Sequence, residues 1–312
     1  MLSWLVVGIG DISRKRVLPA ILAEPNSRLV GIVTRDPAKA EPYAVAGFTT
    51  LEDALTETDA EAVYIATPVF LHAAQTIEAL RAGRHVLCEK PMALNYAEAQ
   101  AMNDAADAAG RVLAIAYYRR KYPKVERARA LIDAGAIGRP VFAEATSHDW
   151  FHPAGTARAW LGDPALAGSG PLRDIASHRI DLMNYLFGSP ARVSGHLSTL
   201  VHELAVEDNA TVLIEYTSGV RGMVDVRWHS RIPRDEFCIR GVDGELDLSP
   251  LNGPELVHPG GVESIAAPDN LHFPCVADFV GAIASGVPPA CLASAAMATE
   301  WVMEQAAGSE GV

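Results

Sequence analysis

Over its first third the chain alternates short, almost wholly apolar runs with segments whose apolar residues recur every three or four positions. The runs WLVVGIG, LVGIVTR, EAVYIATP, HVLCEK and VLAIAY predict strands buried on both faces. Between them SRKRVLPAILAE, PAKAEPYAVA, HAAQTIEALRAG and YAEAQAMNDAADAAG predict helices, the first interrupted by Pro19 and the last two stopped by Gly83 and Gly110. Such alternation implies parallel strands joined by right-handed crossovers, a doubly wound sheet. After about residue 120 the rhythm changes. PKVERARALIDAGAIG predicts a helix and RPVFAEATSHDW an alternating strand. ARVSGHLSTLV, NATVLIEYTSGVRGMVDVRWH and EFCIRGVDGELDLS predict consecutive strands, with hairpin turns at Ser218–Gly219 and Asp243–Gly244. CVADFVGAIASG and the stretch from about Leu292 predict two closing helices. The predicted class is α/β: a doubly wound parallel sheet over residues 1–120, then an α+β domain with a mostly antiparallel sheet over 121–312.

One predicted helix carries an unusual polar face. In RDIASHRIDLMNYL, residues 173–186, a turn of about 100° per residue lines up Asp174, His178, Asp181 and Tyr185. Ile175, Leu182, Met183, Leu186 and Phe187 cover the other side. Solvent-facing stripes favour long, flexible Lys, Glu, Gln and Arg. Here the stripe is short-armed Asp, His, Asp and Tyr, the wrong kind for a surface, which leaves open what it faces.

Composition narrows the function classes. A net charge of −12 argues against general attraction to nucleic-acid phosphates or anionic lipid. No apolar run approaches the ~20 residues of a membrane span, and SWLVVGIG reads as a strand and turn rather than a signal peptide. Cys88, Cys238, Cys275 and Cys291 are scattered, with no C-x-x-C pair, so reduced thiols in a cytoplasmic protein are expected.

Chemistry concentrates at the ends of the early strands. VVGIGDIS sets Gly8 and Gly10 between a strand and a helix. Gly8 permits the tight turn, and Gly10 lets a pyrophosphate approach the helix N-terminus. Ser13 stands where a third glycine is usual. G-x-G alone is also an ordinary turn. On the first strand–helix unit it predicts a dinucleotide site built from Gly8, Ile9, Gly10, Asp11 and Ile12. In IVTRDP, Asp36 reads as a helix N-cap before Pro37. Arg35 is either solvated or the partner of a 2′-phosphate, and the second reading favours NADP over NAD. HVLCEKPMAL puts Lys90 at a strand's carboxyl end, with Glu89 before it and Pro91 setting the turn. IATPVFLH brings Thr67, Pro68 and His72 to the same sheet edge, where open α/β sheets bind ligands. The plainer alternatives are a solvated lysine and a structural histidine. HDWFH spaces His148 and His152 like a helical metal pair, but the segment reads as a strand followed by Pro153, so no metal is expected.

Together these residues resemble the glucose–fructose oxidoreductase/inositol dehydrogenase (Gfo/Idh/MocA) family nearly end to end. The resemblance rests on GIGDIS, IATPVFLH, EKP, YYRRKYP, GAIGRP and GSGPLRDIASHRIDLMNYLFG. Its specific part is EKP combined with Asp174-x3-His178-x2-Asp181. The resemblance implies a Rossmann domain followed by a domain with an open sheet whose outer face often forms the oligomer contact. It implies that Lys90, Asp174 and His178 match the catalytic trio, and that Arg119 matches a substrate-contacting position. The chain departs at Gly168–Ser169–Gly170, where a glycine triplet is usual, and at Arg173, where an apolar residue is usual. Both bear on pocket shape.

The expected function is NAD(P)-dependent hydride transfer, with NADP preferred, to or from a secondary alcohol or ketone of a sugar, inositol or similar polyol. The expected assembly is a homodimer or homotetramer, through a sheet face left open when Val220, Val224, Val226 and Trp228 turn inward. Two other readings are a non-catalytic dinucleotide-binding regulator and a redox-cycling NAD-dependent glycosidase. A sensor has no chemical need of an intact Lys90, Asp174 and His178, so the set favours an enzyme.

Overall fold

Strand β1 (Leu2–Val7) is buried at all six positions, as its unbroken apolar pattern requires of a strand covered on both faces. The structure, a computed structural model, describes residues 1–309. Beside β1 lie β2 (Ser27–Val33), β3 (Ala46–Phe48), β4 (Ala62–Ile65), β5 (His85–Cys88) and β6 (Leu113–Ile115), all parallel, in the order β3-β2-β1-β4-β5-β6. That order reverses direction between β1 and β4, the crevice where doubly wound sheets bind dinucleotides. Two buried polar groups in this core are satisfied: Ser3 Oγ donates to Asp59 O at 2.8 Å, and Trp4 Nε1 to Ser27 Oγ at 3.1 Å.

Local structure departs from the periodic reading where proline intervenes. Pro19 does not end its helix. A π turn over Ser13–Val17 leads into the α-helix Leu18–Ala23, with Leu18 N–H donating to Ser13 O, so proline sits in a first turn. PAKAEPY forms a 3-10 helix, with Pro42 inside it. Strand β3 and the helix Leu51–Glu57, capped by Thr50 Oγ1 accepting from Asp53 N at 3.2 Å, are elements the pattern did not announce.

The contacts divide the chain into one unit of Met1–Tyr118 with Pro268–Met297, and a second of Arg119–Ala267 with the chain from Ala298. The single boundary expected at residue 120 assigns Pro268–Met297 to the second domain; the structure returns it to the first. Helix Phe273–Ser285 lays Phe279 on Trp4, ring centroids 5.3 Å apart. Ile115 N donates to Cys291 O at 2.9 Å, covering the edge at β6. Helical periodicity reports an apolar face, not which core receives it.

The second unit is built on strands β7 (Pro140–Trp150), β8 (Pro190–Ser198), β9 (Asn209–Tyr216), β10 (Arg221–Arg227), β11 (His229–Gly241), β12 (Glu245–Asp247), β13 (Glu255–His258) and β14 (Gly261–Ser264). Their order is β14-β13-β12-β11-β7-β10-β9-β8, antiparallel except for the central β7–β10 pair. Val224 and Val226 point inward and are fully buried, while Met223, Asp225 and Arg227 alternate outward. A Cβ at Gly222 would stand 2.9 Å from Met183 Sδ, so helix Ser177–Phe187 packs closely on the inner face.

Buried Asp208 organises the loop before β9. Its carboxylate accepts from the N–H groups of Leu200, Val201 and His202 at 2.8–2.9 Å and from Asn209 Nδ2 at 3.1 Å. Burial raises its pKa, but these hydrogen bonds outweigh burial and bring it from 3.8 down to about 2. The folded value lies below the unfolded one, so the stabilisation is present above about pH 4 and is lost as pH falls toward 2. Asp208→Asn is expected to cost about 2 kcal/mol at pH 7. Urea unfolding of both proteins at pH 7 and pH 3 checks this, with the gap narrowing at the lower pH.

Candidate functional site

The candidate residues fall in both units, and each group has its own geometry. In the first unit the turn after β1 is shaped by Gly8, whose φ of +94° favours glycine. A side chain there would also collide with the Ala66 carbonyl, 2.7 Å from its Cβ. Ser13, at the third glycine position, donates its hydroxyl to Gly8 O at 2.7 Å and so braces the turn from inside. Gly10 differs: a Cβ there would meet nothing within 4 Å. The protein's own packing therefore does not demand glycine at residue 10, whereas a pyrophosphate lying on this backbone would. Ile9 is half-buried and Asp11 and Ile12 are exposed; Asp11 is tied to its own helix by Arg14 at 2.8 Å and Lys15 at 3.0 Å. The turn thus fits a dinucleotide.

Arg35, just beyond β2, is exposed, with no ion-pair or hydrogen-bond partner among the described residues. Asp36 occupies the N-cap position before Pro37, but its side chain makes no capping bond. Thr67 Oγ1 donates to Gln75 Oε1 at 2.7 Å, which leaves Thr67 and Pro68 framing the β4 turn.

The turn after β5 is held on both sides of Lys90. Before it, the buried Glu89 carboxylate accepts from Tyr64 Oη at 2.9 Å and His272 Nε2 at 3.1 Å, and from Lys90 N–H at 3.3 Å. Burial pushes Glu89 up, but the bonds from His272 and Tyr64 and the nearby Lys90 charge prevail, leaving its pKa below the ordinary value. After Lys90, the Pro91 carbonyl lies 2.9 Å from His72 Nδ1, while His72 Nε2 lies 3.0 Å from Thr67 O. Burial pushes the His72 pKa down despite these carbonyls. Among the expected cofactor contacts, then, His72 and Glu89 have their polar atoms turned to protein partners: the His72 ring sits between the carbonyls of the β4 and β5 turns and donates its one N–H to one of them, and Glu89 anchors the lysine turn. Lys90 itself is half-buried.

In the second unit the stripe does not face water. Its helix begins with a π turn over Leu172–Ala176 and continues as an α-helix over Ser177–Phe187, where His178 and Asp181 are buried and Tyr185 half-buried. A uniform 100° step fails in the π turn, and such turns are frequent at functional sites. The stripe also divides by partner. Asp181 is matched by Arg120, which donates from Nε at 2.8 Å and Nη2 at 2.5 Å, and the Arg120 and Arg129 guanidiniums lie 5.4 and 5.2 Å from the Tyr185 ring centre. That half is structural. Asp174, half-buried, accepts from Arg158 Nη2 at 2.7 Å, and the same guanidinium lies 4.8 Å from the Phe151 ring centre.

The unusual Gly168–Ser169–Gly170 segment has a local cause. Glu207 accepts from Ser169 Oγ at 2.7 Å, Gly170 N at 2.9 Å and Leu172 N at 3.0 Å, placing a carboxylate at the helix N-terminus. Gly170 must be glycine, since its Cβ would stand 2.1 Å from Glu207 O. Arg173, the other departure, forms a buried ion pair with Glu300 at 2.7 Å. Arg119, the expected substrate contact, is buried and donates to Asn252 Oδ1 at 2.6 Å. His148 pairs with Asp225 at 2.7 Å on β7, whereas His152 lies against His202, so the HDWFH histidines have separate surroundings.

Sequence reasoning missed Arg158, Glu207, Tyr64 and His272. None lies in a motif, and each reaches its partner across long sequence separation or from a loop. Arg120 alone had a signal, inside YYRRKYP.

Comparison with known proteins adds lineage. Residues 2–117 match the oxidoreductase family with an NAD-binding Rossmann fold, and residues 125–247 match the GFO/IDH/MocA C-terminal domain. A levoglucosan dehydrogenase of Pseudarthrobacter phenanthrenivorans is 37% identical over 214 residues, covering 60% of this chain and 55% of the relative. The trans-1,2-dihydrobenzene-1,2-diol dehydrogenase of Mus musculus is 30% identical over 267 residues, covering 82% and 77%. A solved levoglucosan dehydrogenase in complex with NADH and levoglucosan superposes with a TM-score of 0.88 at 25% identity, covering 99% of this chain and 96% of the other.

Proposed function

Because the chain belongs to the GFO/IDH/MocA family of oxidoreductases and carries its NAD-binding Rossmann fold, we propose that it transfers hydride between a nicotinamide cofactor and a secondary alcohol or ketone of a sugar, inositol or similar polyol. The observation that carries the reading is the open backbone at Gly10 in the same sheet as a lysine turn anchored on both sides. Relatives named for levoglucosan and for a cyclic trans-diol support a hydroxylated ring as substrate.

When bound, the nicotinamide supplies the hydride donor or acceptor. The backbone of Gly8 to Ile12 holds the pyrophosphate, and Thr67 and Pro68 border the nucleotide. Oxidising a secondary alcohol also requires removal of the hydroxyl proton. An imidazole titrates near neutral pH, so His178 is the general base, and the general acid in reduction. Asp174, its carboxylate held by Arg158, orients that imidazole or binds a neighbouring hydroxyl. The Lys90 ammonium hydrogen-bonds the reacting oxygen and stabilises developing alkoxide charge. Arg119 contributes to the substrate wall.

A screen of sugars and inositols with both cofactors, followed at the nicotinamide absorbance band, identifies a working substrate. On it, His178→Asn is expected to lower turnover about 10²–10⁴-fold with cofactor affinity nearly intact. Lys90→Met, which keeps bulk and removes charge, is also expected to cripple turnover. Near-normal turnover in both variants overturns the assignment.

The preferred cofactor is NADP(H), because Arg35 stands exposed and uncommitted after β2. A charge-assisted contact to a 2′-phosphate is worth about 1.5–3 kcal/mol. Arg35→Ala is therefore expected to weaken NADP binding selectively in fluorescence titrations, with NAD affinity nearly unchanged. An unaltered ratio of the two affinities refutes this preference.

The working form is a homodimer or homotetramer in the cytoplasm. Its contact is the outward face of the eight-stranded sheet, whose Leu213, Met223, Asp225 and Arg227 give a mixed, wet interface. Buried Cys88, Cys275 and Cys291 suit a reducing compartment, and no described helix is long and apolar enough to cross a membrane. Light scattering at micromolar concentration should give two or four chain masses, and a single chain mass rejects the assembly.

A further inference from the structure

We propose that His272 is a positioning residue for Lys90, acting through Glu89. The inference rests on the reading above that Lys90 acts on the substrate oxygen. His272 lies nearly two hundred residues away in sequence, in the segment that returns to the first unit. Its ring is buried, and Nε2 stands 3.1 Å from Glu89 Oε1. The same oxygen accepts from Tyr64 Oη at 2.9 Å, while Glu89 Oε2 accepts from the N–H of Lys90 at 3.3 Å. Glu89 thus joins a rigid strand residue, a returning segment and the backbone of the lysine turn. Because Glu89 is held ionised it only accepts, so His272 Nε2 carries a proton and donates.

Three observations set His272 apart from a packing residue. Its other nitrogen, Nδ1, is buried with no hydrogen-bond partner among the described residues. A buried polar atom left unsatisfied costs about 1–3 kcal/mol, and an apolar side chain of the same size would avoid that cost. The ring is also clamped: it lies against Tyr118 with centroids 4.4 Å apart, and its backbone N–H donates to Asn270 Oδ1 at 3.0 Å. Finally, Asn270 Nδ2 donates to Arg16 O at 2.8 Å, in the π turn of the helix that begins at the Gly10 turn. The segment therefore spans from the dinucleotide-binding helix to the lysine turn. On the other side the Pro91 carbonyl lies 2.9 Å from His72 Nδ1, so a histidine ring stands against each neighbour of Lys90. Freedom at this turn would move the ammonium off the reacting oxygen, and catalysis is sensitive to displacements of this kind.

The test uses the full-length enzyme and the substrate found by the screen. His272→Leu removes the donor, and His272→Gln restores an N–H. His272→Leu is expected to lower kcat on the order of 10- to 100-fold, with NAD(H) and NADP(H) dissociation constants within about twofold, and His272→Gln to recover most of the loss. If His272→Leu does not fold, Tyr64→Phe, which removes the other donor to the same oxygen at almost constant volume, should lower kcat in the same sense. In combination with Lys90→Met, His272→Leu (or Tyr64→Phe in its place) should add little further loss, because both changes remove one function. Unchanged kcat in the foldable variant, fully additive losses with Lys90→Met, or joint loss of kcat and cofactor affinity without rescue by glutamine would each overturn the proposal. Normal turnover in Lys90→Met alone instead removes the underlying role of Lys90, and the positioning proposal falls with it.

Discussion

A carboxylate withdrawn from water must be met by donors, and the functional turns of this protein are built around that constraint. In the first unit Glu89 lies beside Lys90 and is met by Tyr64, His272 and a backbone N–H. In the second, Asp181 lies three residues after His178 and is met in bidentate fashion by Arg120. Removing either partner set would leave a buried charge uncompensated, which costs about 3–5 kcal/mol for a broken buried pair. The geometry near each candidate catalytic residue is thereby tied to the stability of its own unit.

The distribution of partners separates groups committed to the protein's own packing from groups that packing leaves open. His72, Glu89, Asp181 and Ser13 have their polar atoms directed at other parts of the chain. Arg35 is directed at solvent, and the backbone at Gly10 is bare. A Rossmann site is recognised here by what the protein leaves open as much as by its glycine spacing. Gly8 and Gly170 are demanded by close contacts with the chain itself, at Ala66 O and Glu207 O, whereas nothing in the chain demands Gly10.

The second unit shows how a helix can be buried on all sides and still present polar chemistry. Glu207 terminates its N-terminal end, Arg158 takes Asp174, and Arg120 and Arg129 take Asp181 and Tyr185. Asp174, Asp181 and Tyr185 are each met by a guanidinium from another element. The π turn at Leu172–Ala176 contains Asp174 and ends two residues before His178, so regular helical spacing is relaxed where the stripe begins.

The alternation of apolar runs and helical periods was enough to read a parallel doubly wound sheet followed by a mostly antiparallel one, because burial on two faces or one face writes itself directly into residue order. The glycine turn, the lysine at a strand end and the Asp174–His178–Asp181 spacing were legible for the same reason: they are local. Sequence alone did not determine which core would receive the helix Phe273–Ser285, since an apolar face is complementary to any apolar surface. The family resemblance set Asp174 apart from Asp181, but sequence alone did not show what holds each carboxylate; the arrival of Arg158 at one and Arg120 at the other is decided only by the tertiary structure. His272, Glu207 and Tyr64 were invisible for that reason too. Their roles arise from hydrogen bonds between residues far apart in the chain, and such bonds exist only once the packing of apolar surface has brought the partners within 3 Å or so.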